Sequence, residues 1–257
     1  MSRRFETLVL CYHAVSDGWP DQLAVPPRLF EEHLRQLLRR GFRPVSAAES
    51  LAGRRGCLHV TFDDAYRSVA PALSVLERLG VQATIFACSG YADDGRPLDV
   101  PELAAEAAAY PSELATMDWA ALREVVERGV EVGSHTVSHP HLTRLSDGEL
   151  EAELRDSRAL LEAELARPCR FLAYPYGEND GRVREAARRA GYEAAFALRE
   201  RFDGADPFGL PRVDFYRKDT PLRAMLKTRL VPRVPPGVFG ALGALRRGRR
   251  RRQIARP

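Results

Sequence analysis

In residues 58–88, LHVTFDDAYRSVAPALSVLERLGVQATIFAC, a short apolar run of five residues, 58–62, ends abruptly at Asp63 and Asp64. The segment 66–79 then carries apolar residues at helical spacing and stops at Gly80, a residue suited to a helix C-terminus. A second apolar run, 81–88, follows at once. Strand, helix and strand in this order predict a parallel βαβ unit.

The rhythm continues on both sides. Further strands are predicted at 8–12, 130–134, 170–174, 192–197 and 210–213, and helices at 28–40, 117–128, 146–166 and 181–190. Ser146 followed by Glu149 has the capping-box spacing. Seven strands in one alternating series suit a barrel or a doubly wound sheet. The segment 89–116 breaks the series. It is read as a long βα insertion, partly helical over 102–109, of a kind that commonly covers a site.

Charge divides the chain of 257 residues unevenly. The stretch 220–257 holds eleven bases and no acid, which leaves 28 bases against 35 acids in 1–219. The expected organisation is therefore a globular domain over 1–219 and a basic, Pro/Arg-rich extension over 220–257. The sequence pI near 9.0 describes the extension and not the body. A solvated tail without function is the default reading, and the next is contact with an anionic membrane surface at about 1 kcal/mol per basic residue. Nucleic acid is disfavoured, because no stacking aromatics or reading motif accompany the arginines. No apolar run reaches the length of a membrane span. The run 8–12 is too short for a signal-peptide core, so the expected compartment is the cytoplasm, with peripheral contact at the inner membrane face as a variant. Cys11, Cys57, Cys88 and Cys169 lie far apart in apolar runs and read as buried, reduced thiols.

In parallel α/β folds, sites gather where strands end. The strand ends here supply Tyr12-His13, Asp63-Asp64, His135-Thr136-Val137-Ser138-His139 and Tyr174-Pro175-Tyr176-Gly177. Two imidazoles and a carboxylate with open positions suit Zn²⁺ or a similar divalent ion. Pro140 disfavours a helical His139, so the histidine pair belongs in a turn. If one of the adjacent aspartates binds metal, the other is free to act as general base. A bound divalent ion lowers the pKa of a ligated water from about 15.7 toward roughly 7. His33 and His59 are read as structural.

Taken together, these strand ends resemble the polysaccharide deacetylase family, also called the NodB-homology or carbohydrate esterase family 4 domain. The resemblance runs from about Leu8 to Val213. Thr61-Phe62-Asp63-Asp64 matches the first family motif, His135-Thr136-Val137-Ser138-His139 the second, and Tyr174-Pro175-Tyr176-Gly177 the end of the third. The resemblance implies a distorted (β/α)₇ barrel. It also implies that Asp63 is the catalytic base, that Asp64, His135 and His139 bind the metal, and that the Tyr176 backbone N–H helps hold the oxyanion. The implied reaction is removal of N-acetyl groups from a saccharide, with Zn²⁺ as the expected ion.

Two motif residues of the family are missing. An arginine that steadies the base is replaced by Ala173, and no histidine follows His141, so the late Leu-x-His general acid has no counterpart. His13 is the best substitute acid, because the first and last strands of a closed barrel are neighbours. His141 is a weaker candidate, expected to point outward. Arg212, in Leu210-Pro211-Arg212-Val213, is the candidate for the missing arginine. Two other functions compete with the leading reading: hydrolysis of a cyclic or other linear amide on the same barrel, and a catalytically weak glycan-binding module.

Overall fold

Strand β1 (Leu8–Tyr12) is buried at every position, as is β2 (Cys57–Phe62). These two runs are apolar enough to be covered on both faces, which is the condition for a parallel sheet. The computed structural model describes residues 7–198 and 206–230. Five more strands follow: β3 (Ala83–Ala87), β4 (Glu131–Ser134), β5 (Phe171–Ala173), β6 (Ala194–Leu198) and β7 (Leu210–Asp214). All neighbours run parallel, in the order β1-β7-β6-β5-β4-β3-β2, and β2 pairs back to β1. The seven strands thus close the predicted (β/α)₇ barrel. A two-residue strand, Arg43–Pro44, extends the sheet outside β2.

The helices are α1 (Pro27–Arg39), α2 (Ala70–Leu79), α3 (Trp119–Glu127), α4 (Asp147–Leu165), α5 (Gly181–Arg189) and α6 (Pro221–Leu230). The capping box forms as expected, with Ser146 accepting from the Glu149 N–H and the Glu149 carboxylate from the Ser146 N–H. Helix α2 starts later than predicted, after a 3₁₀ turn at Arg67–Val69, because Pro71 fits only the first turn of a helix.

Side-chain parity sorts the strands. Leu8, Leu10 and Tyr12 pack with Leu58, Val60 and Phe62 in the layer beneath the helices. Val9, Phe86, Phe171, Phe196 and Leu210 pack together inside the barrel. Gly133 allows this filling, since a Cβ there would meet the Phe86 ring at 2.6 Å. Residues two further along the interior parity are Cys11 and His13 on β1, Thr61 and Asp63 on β2, and Arg212 and Asp214 on β7. The register aligns these ends, with Tyr12 level with Phe62 and Cys11 level with Asp214.

His33 proves to be fully buried, not on a polar helix face. It lies between the Tyr12 hydroxyl and the Asp219 carbonyl. His59 is structural as expected. Its Nδ1–H donates to the Val45 carbonyl at 2.8 Å, which leaves Nε2 to accept from Thr84 Oγ1 at 3.0 Å. Burial lowers its pKa to about 4. The unfolded imidazole titrates near 6.5, so between about 4 and 6.5 the unfolded chain binds the extra proton. The stability contribution is complete above the unfolded value and is lost as pH falls toward 4, by about 3 kcal/mol in full. Denaturant midpoints are expected to fall between pH 7 and pH 4.5, and to fall less steeply in His59→Gln.

Helix α6 continues the packed body past the expected edge at 219. Its Ala224 and Thr228 are buried, Arg40 donates to Thr228 Oγ1 at 2.8 Å, and Lys227 Nζ donates to the Asp214 carbonyl at 2.8 Å. The Pro-rich linker and the arginine run fall in 231–257, outside the described residues, and so does the expected membrane contact of that tail.

Candidate active site

Three of the predicted residues meet at the carboxyl ends of β2 and β4. Asp64 Oδ1 lies 3.5 Å from His135 Nε2 and 3.4 Å from His139 Nε2. His135 Nδ1 faces the Ala173 carbonyl at 2.8 Å, so that nitrogen carries the proton and Nε2 presents a lone pair. Burial lowers both imidazoles to about 4, so they are neutral near pH 7. Burial also raises the Asp64 carboxyl from its usual value. The short Asp64–imidazole distances are not hydrogen bonds: Asp64 Oδ1 is buried and has no hydrogen-bonding partner among the described residues. Asp64 Oδ1 and the lone pair of His135 Nε2 thus converge as acceptors beside the His139 ring, and such an arrangement fits a cation.

The backbone around these groups is unusual. Among the described residues, six non-glycine residues have positive φ, and five of them are Asp64 (68°), Ala65 (49°), Thr136 (73°), His139 (62°) and Tyr176 (57°). Each such residue costs of order 1–3 kcal/mol unless its surroundings impose the conformation. Pro140 does keep His139 out of the right-handed helical region, but the residue turns left-handed instead of extended. Interlocking hydrogen bonds hold the turn. The Thr136 N–H donates to Ser134 Oγ at 3.0 Å, and the His139 N–H donates to Thr136 Oγ1 at 3.1 Å. Glu153 on α4 accepts from the Val137 and Ser138 N–H groups at 2.8 and 3.0 Å and from Ser138 Oγ at 2.6 Å. Glu153 escaped sequence reasoning because it belongs to no motif.

Asp63 and Arg212 form a buried, bidentate pair. Arg212 Nη1 donates to Oδ1 at 2.6 Å and Nη2 to Oδ2 at 2.8 Å. Burial alone would raise Asp63, but the guanidinium outweighs it and holds the carboxyl well below the usual carboxylate range. Arg212 also donates to Thr61 Oγ1 at 3.2 Å, and its guanidinium lies over the Phe86 ring, 5.6 Å from the centroid. Arg212 therefore occupies the place beside Asp63 that the sequence reserved for it.

His13 follows β1, beside the end of β7, and approaches Asp63. Ligand atoms of Cys11, His13 and Asp63 lie within 4.8 Å of one another. Tyr176 sits in a 3₁₀ turn, Pro175–Gly177, that follows β5. Its ring packs edge-on against His139 and stacks on His141 at 4.1 Å between centroids. His141 does not simply point outward. It is only partly exposed, and its Nδ1 bonds Glu178 Oε2 at 2.9 Å. The insertion reaches the same rim, where Tyr176 Oη donates to Glu102 Oε2 at 3.4 Å. Trp19, Tyr66, Tyr91, Leu98 and Leu114 anchor that insertion in an apolar cluster of its own.

A parallel barrel with a carboxylate–imidazole cluster and a buried acid–base pair at its carboxyl-terminal mouth has the architecture of a hydrolase of the (β/α) class. The family model for polysaccharide deacetylases matches residues 51–195, more than half of the chain, and the protein belongs to that family. YxkH of Bacillus subtilis (strain 168) is 24% identical over 241 residues, covering 91% of this chain and 74% of the relative. The poly-beta-1,6-N-acetyl-D-glucosamine N-deacetylase of Escherichia coli (strain K12) is 25% identical over 252 residues, covering 80% of this chain but only 36% of that enzyme. Among solved structures, the Streptococcus pyogenes deacetylase PplD in complex with acetate superposes with a TM-score of 0.72 at 21% identity, covering 87% of this chain and 98% of that one. Among the described residues no helix is long and apolar enough to cross a membrane.

Proposed function

We propose that the chain is a metal-dependent N-deacetylase acting on an N-acetylated saccharide. The observation that carries this reading is the convergence of Asp64 Oδ1, His135 Nε2 and His139 Nε2 beside an aspartate that Arg212 keeps ionised. Asp64, His135 and His139 would hold a divalent ion, with Zn²⁺ the natural choice for this donor set. Such an ion supplies Lewis acidity and makes hydroxide available near neutral pH.

The chain's own groups then have distinct tasks. Asp63 accepts the proton of the attacking water, using a carboxylate lone pair that Arg212 does not engage. The Tyr176 N–H donates to the oxygen that gains negative charge, an interaction worth about 3 kcal/mol. His13 delivers a proton to the departing nitrogen, so that acetate and a free amine are released. The flat face made by Tyr176 and His141 at the rim suits a sugar ring. The named activity of the Escherichia coli relative makes β-1,6-linked N-acetylglucosamine the first polymer to try.

The test is a panel of N-acetylglucosamine oligomers of different linkage, incubated with metal-loaded protein and assayed for acetate and amine. Equal release of both on at least one oligomer is expected. Metal-loaded protein that releases neither would overturn the reading in favour of glycan binding or another amide. His13→Ala is expected to lower kcat by about 10²–10⁴ with the Asp64–His135–His139 site still loaded; an undiminished kcat removes His13 as the acid. Glu153→Ala frees the 136–139 turn and is expected to weaken metal affinity roughly 10–100-fold. Competition with a chelator measures this, and unchanged affinity would show that the turn holds without its brace.

A further inference from the structure

Beside the Asp64–His135–His139 cluster lies a second one that the proposed reaction does not use as a metal site. Cys11 and His13 lie on the same face at the end of β1, and both approach Asp63. Cys11 Sγ is 3.4 Å from Asp63 Oδ2, and the ligand atoms of all three residues lie within 4.8 Å of one another. His13 Nδ1 is shielded from solvent and has no hydrogen-bond partner among the described residues. The spacing is close to the ligand–ligand separations of a tetrahedral zinc site, where metal–sulfur and metal–nitrogen bonds measure about 2.3 and 2.0 Å.

We propose that Cys11, His13 and Asp63 form a second, inhibitory site for a thiophilic divalent cation such as Zn²⁺ or Cd²⁺. A thiol, an imidazole and a carboxylate make a mixed donor set that favours soft ions over Mg²⁺ or Mn²⁺. Binding replaces the thiol proton: the S–H bond breaks, a sulfur–metal bond forms, and one proton leaves to solvent. Burial pushes the Cys11 thiol well above its usual value, and the Arg212 guanidinium offsets this only in part, so the metal itself must drive the loss of the proton. The resulting thiolate and the Asp63 carboxylate offset two of the three positive charges that the dication and the Arg212 guanidinium bring together. An ion held there occupies both the proposed base and the proposed acid. Its inhibitory consequence rests on the deacetylase reading, whereas its binding does not.

Titration of the native protein with Cd²⁺ is expected to load a second ion per chain, accompanied by thiolate-to-cadmium ultraviolet absorption. Cys11→Ser is expected to lose both the second ion and that absorption, while His135→Ala keeps the absorption. Excess Zn²⁺ should then suppress acetate release by the native protein, excess Mn²⁺ should not, and Cys11→Ser should resist Zn²⁺. Thermal unfolding verifies that the variant folds, with Cys11→Ala as the alternative should serine not be tolerated in the core. Native protein saturated with Cd²⁺ without thiolate absorption would overturn the site, and so would absorption that persists in both Cys11 variants. Loss of the second ion without relief of zinc inhibition would overturn the inhibitory role. If no substrate is found, uptake and absorption still judge the site.

Discussion

Asp63→Asn is expected to keep the metal and lose the reaction, lowering kcat by about 10²–10⁴. Asparagine has nearly the same shape, and its carbonyl oxygen can still accept from Arg212, but it cannot take a proton from water. The substitution also leaves a buried guanidinium without its counter-charge, since Arg212 is 1% exposed. Breaking a buried ion pair by removing one partner typically costs 3–5 kcal/mol, so the denaturant midpoint should fall with the rate. The two losses can be separated. Adding Arg212→Met replaces the stranded charge by an apolar chain of similar length, which should recover much of the stability and none of the rate. Metal content, kcat and unfolding midpoints of both variants test this. A near-native kcat in metal-loaded Asp63→Asn would remove Asp63 from the role of base, and a double variant that regains activity would show that folding alone had failed.

The Asp63–Arg212 pair also marks how far the sequence could be read. The residues are 149 positions apart, and no local pattern links them. Arg212 was a candidate only as an arginine ending the last strand; the closed barrel, which sets the last strand beside the first and the first beside the second, is what brings it to Asp63. Strand parity then points position 212 into the same space as position 63. The same parity argument covers His13, which shares a strand face with Val9 and Cys11. The strand positions were legible from apolar runs separated by helices with glycine stops, whereas closure of the sheet came with the family resemblance, since the same series also suits a doubly wound sheet.

Features that depend on chain-to-chain accommodation were not legible. Glu153 braces the histidine turn from a helix that is rich in other acidic residues, and nothing in its local spacing distinguishes it. The left-handed conformations of Asp64, Thr136, His139 and Tyr176 occur at residues that do not announce them as glycine would. The 136–139 turn is held by the local Ser134 and Thr136 hydroxyls together with Glu153 from another element, and only the last of these requires the fold. Helix α6 was missed for a related reason. Its sequence is basic and punctuated by Pro221, and its helical state is held by burial of Ala224 and Thr228 against α1 more than by any pattern of its own. His33 is structural as read, but its full burial was not legible, because Glu31, Glu32 and Arg35 surround it in sequence while its own position faces Tyr12 and Phe215.

Asp64→Asn is expected to stabilise the metal-free protein and abolish its response to metal, so that the order of stability inverts when the ion is added. In chelated native protein, Asp64 Oδ1 is a buried acceptor facing the lone pair of His135 Nε2. An unsatisfied buried polar group costs about 1–3 kcal/mol. The amide of asparagine supplies N–H donors in the same volume, and one can point at an imidazole Nε2, so the chelated variant should unfold at a higher denaturant concentration than chelated native protein. The backbone does not oppose the change. Asp64 has φ of 68°, a region in which asparagine is among the best-tolerated non-glycine residues. With metal the balance reverses. An ion at 1,000 times its dissociation constant stabilises the native fold by about 4.1 kcal/mol, and a neutral amide in place of the carboxylate removes the charge that makes the site tight. Native protein should therefore overtake the variant as Zn²⁺ is added, and the variant should also lose acetate release entirely. A chelated variant less stable than chelated native protein would show that the converging acceptors carry no cost, and a variant that still gains stability from Zn²⁺ would show that Asp64 is not a ligand.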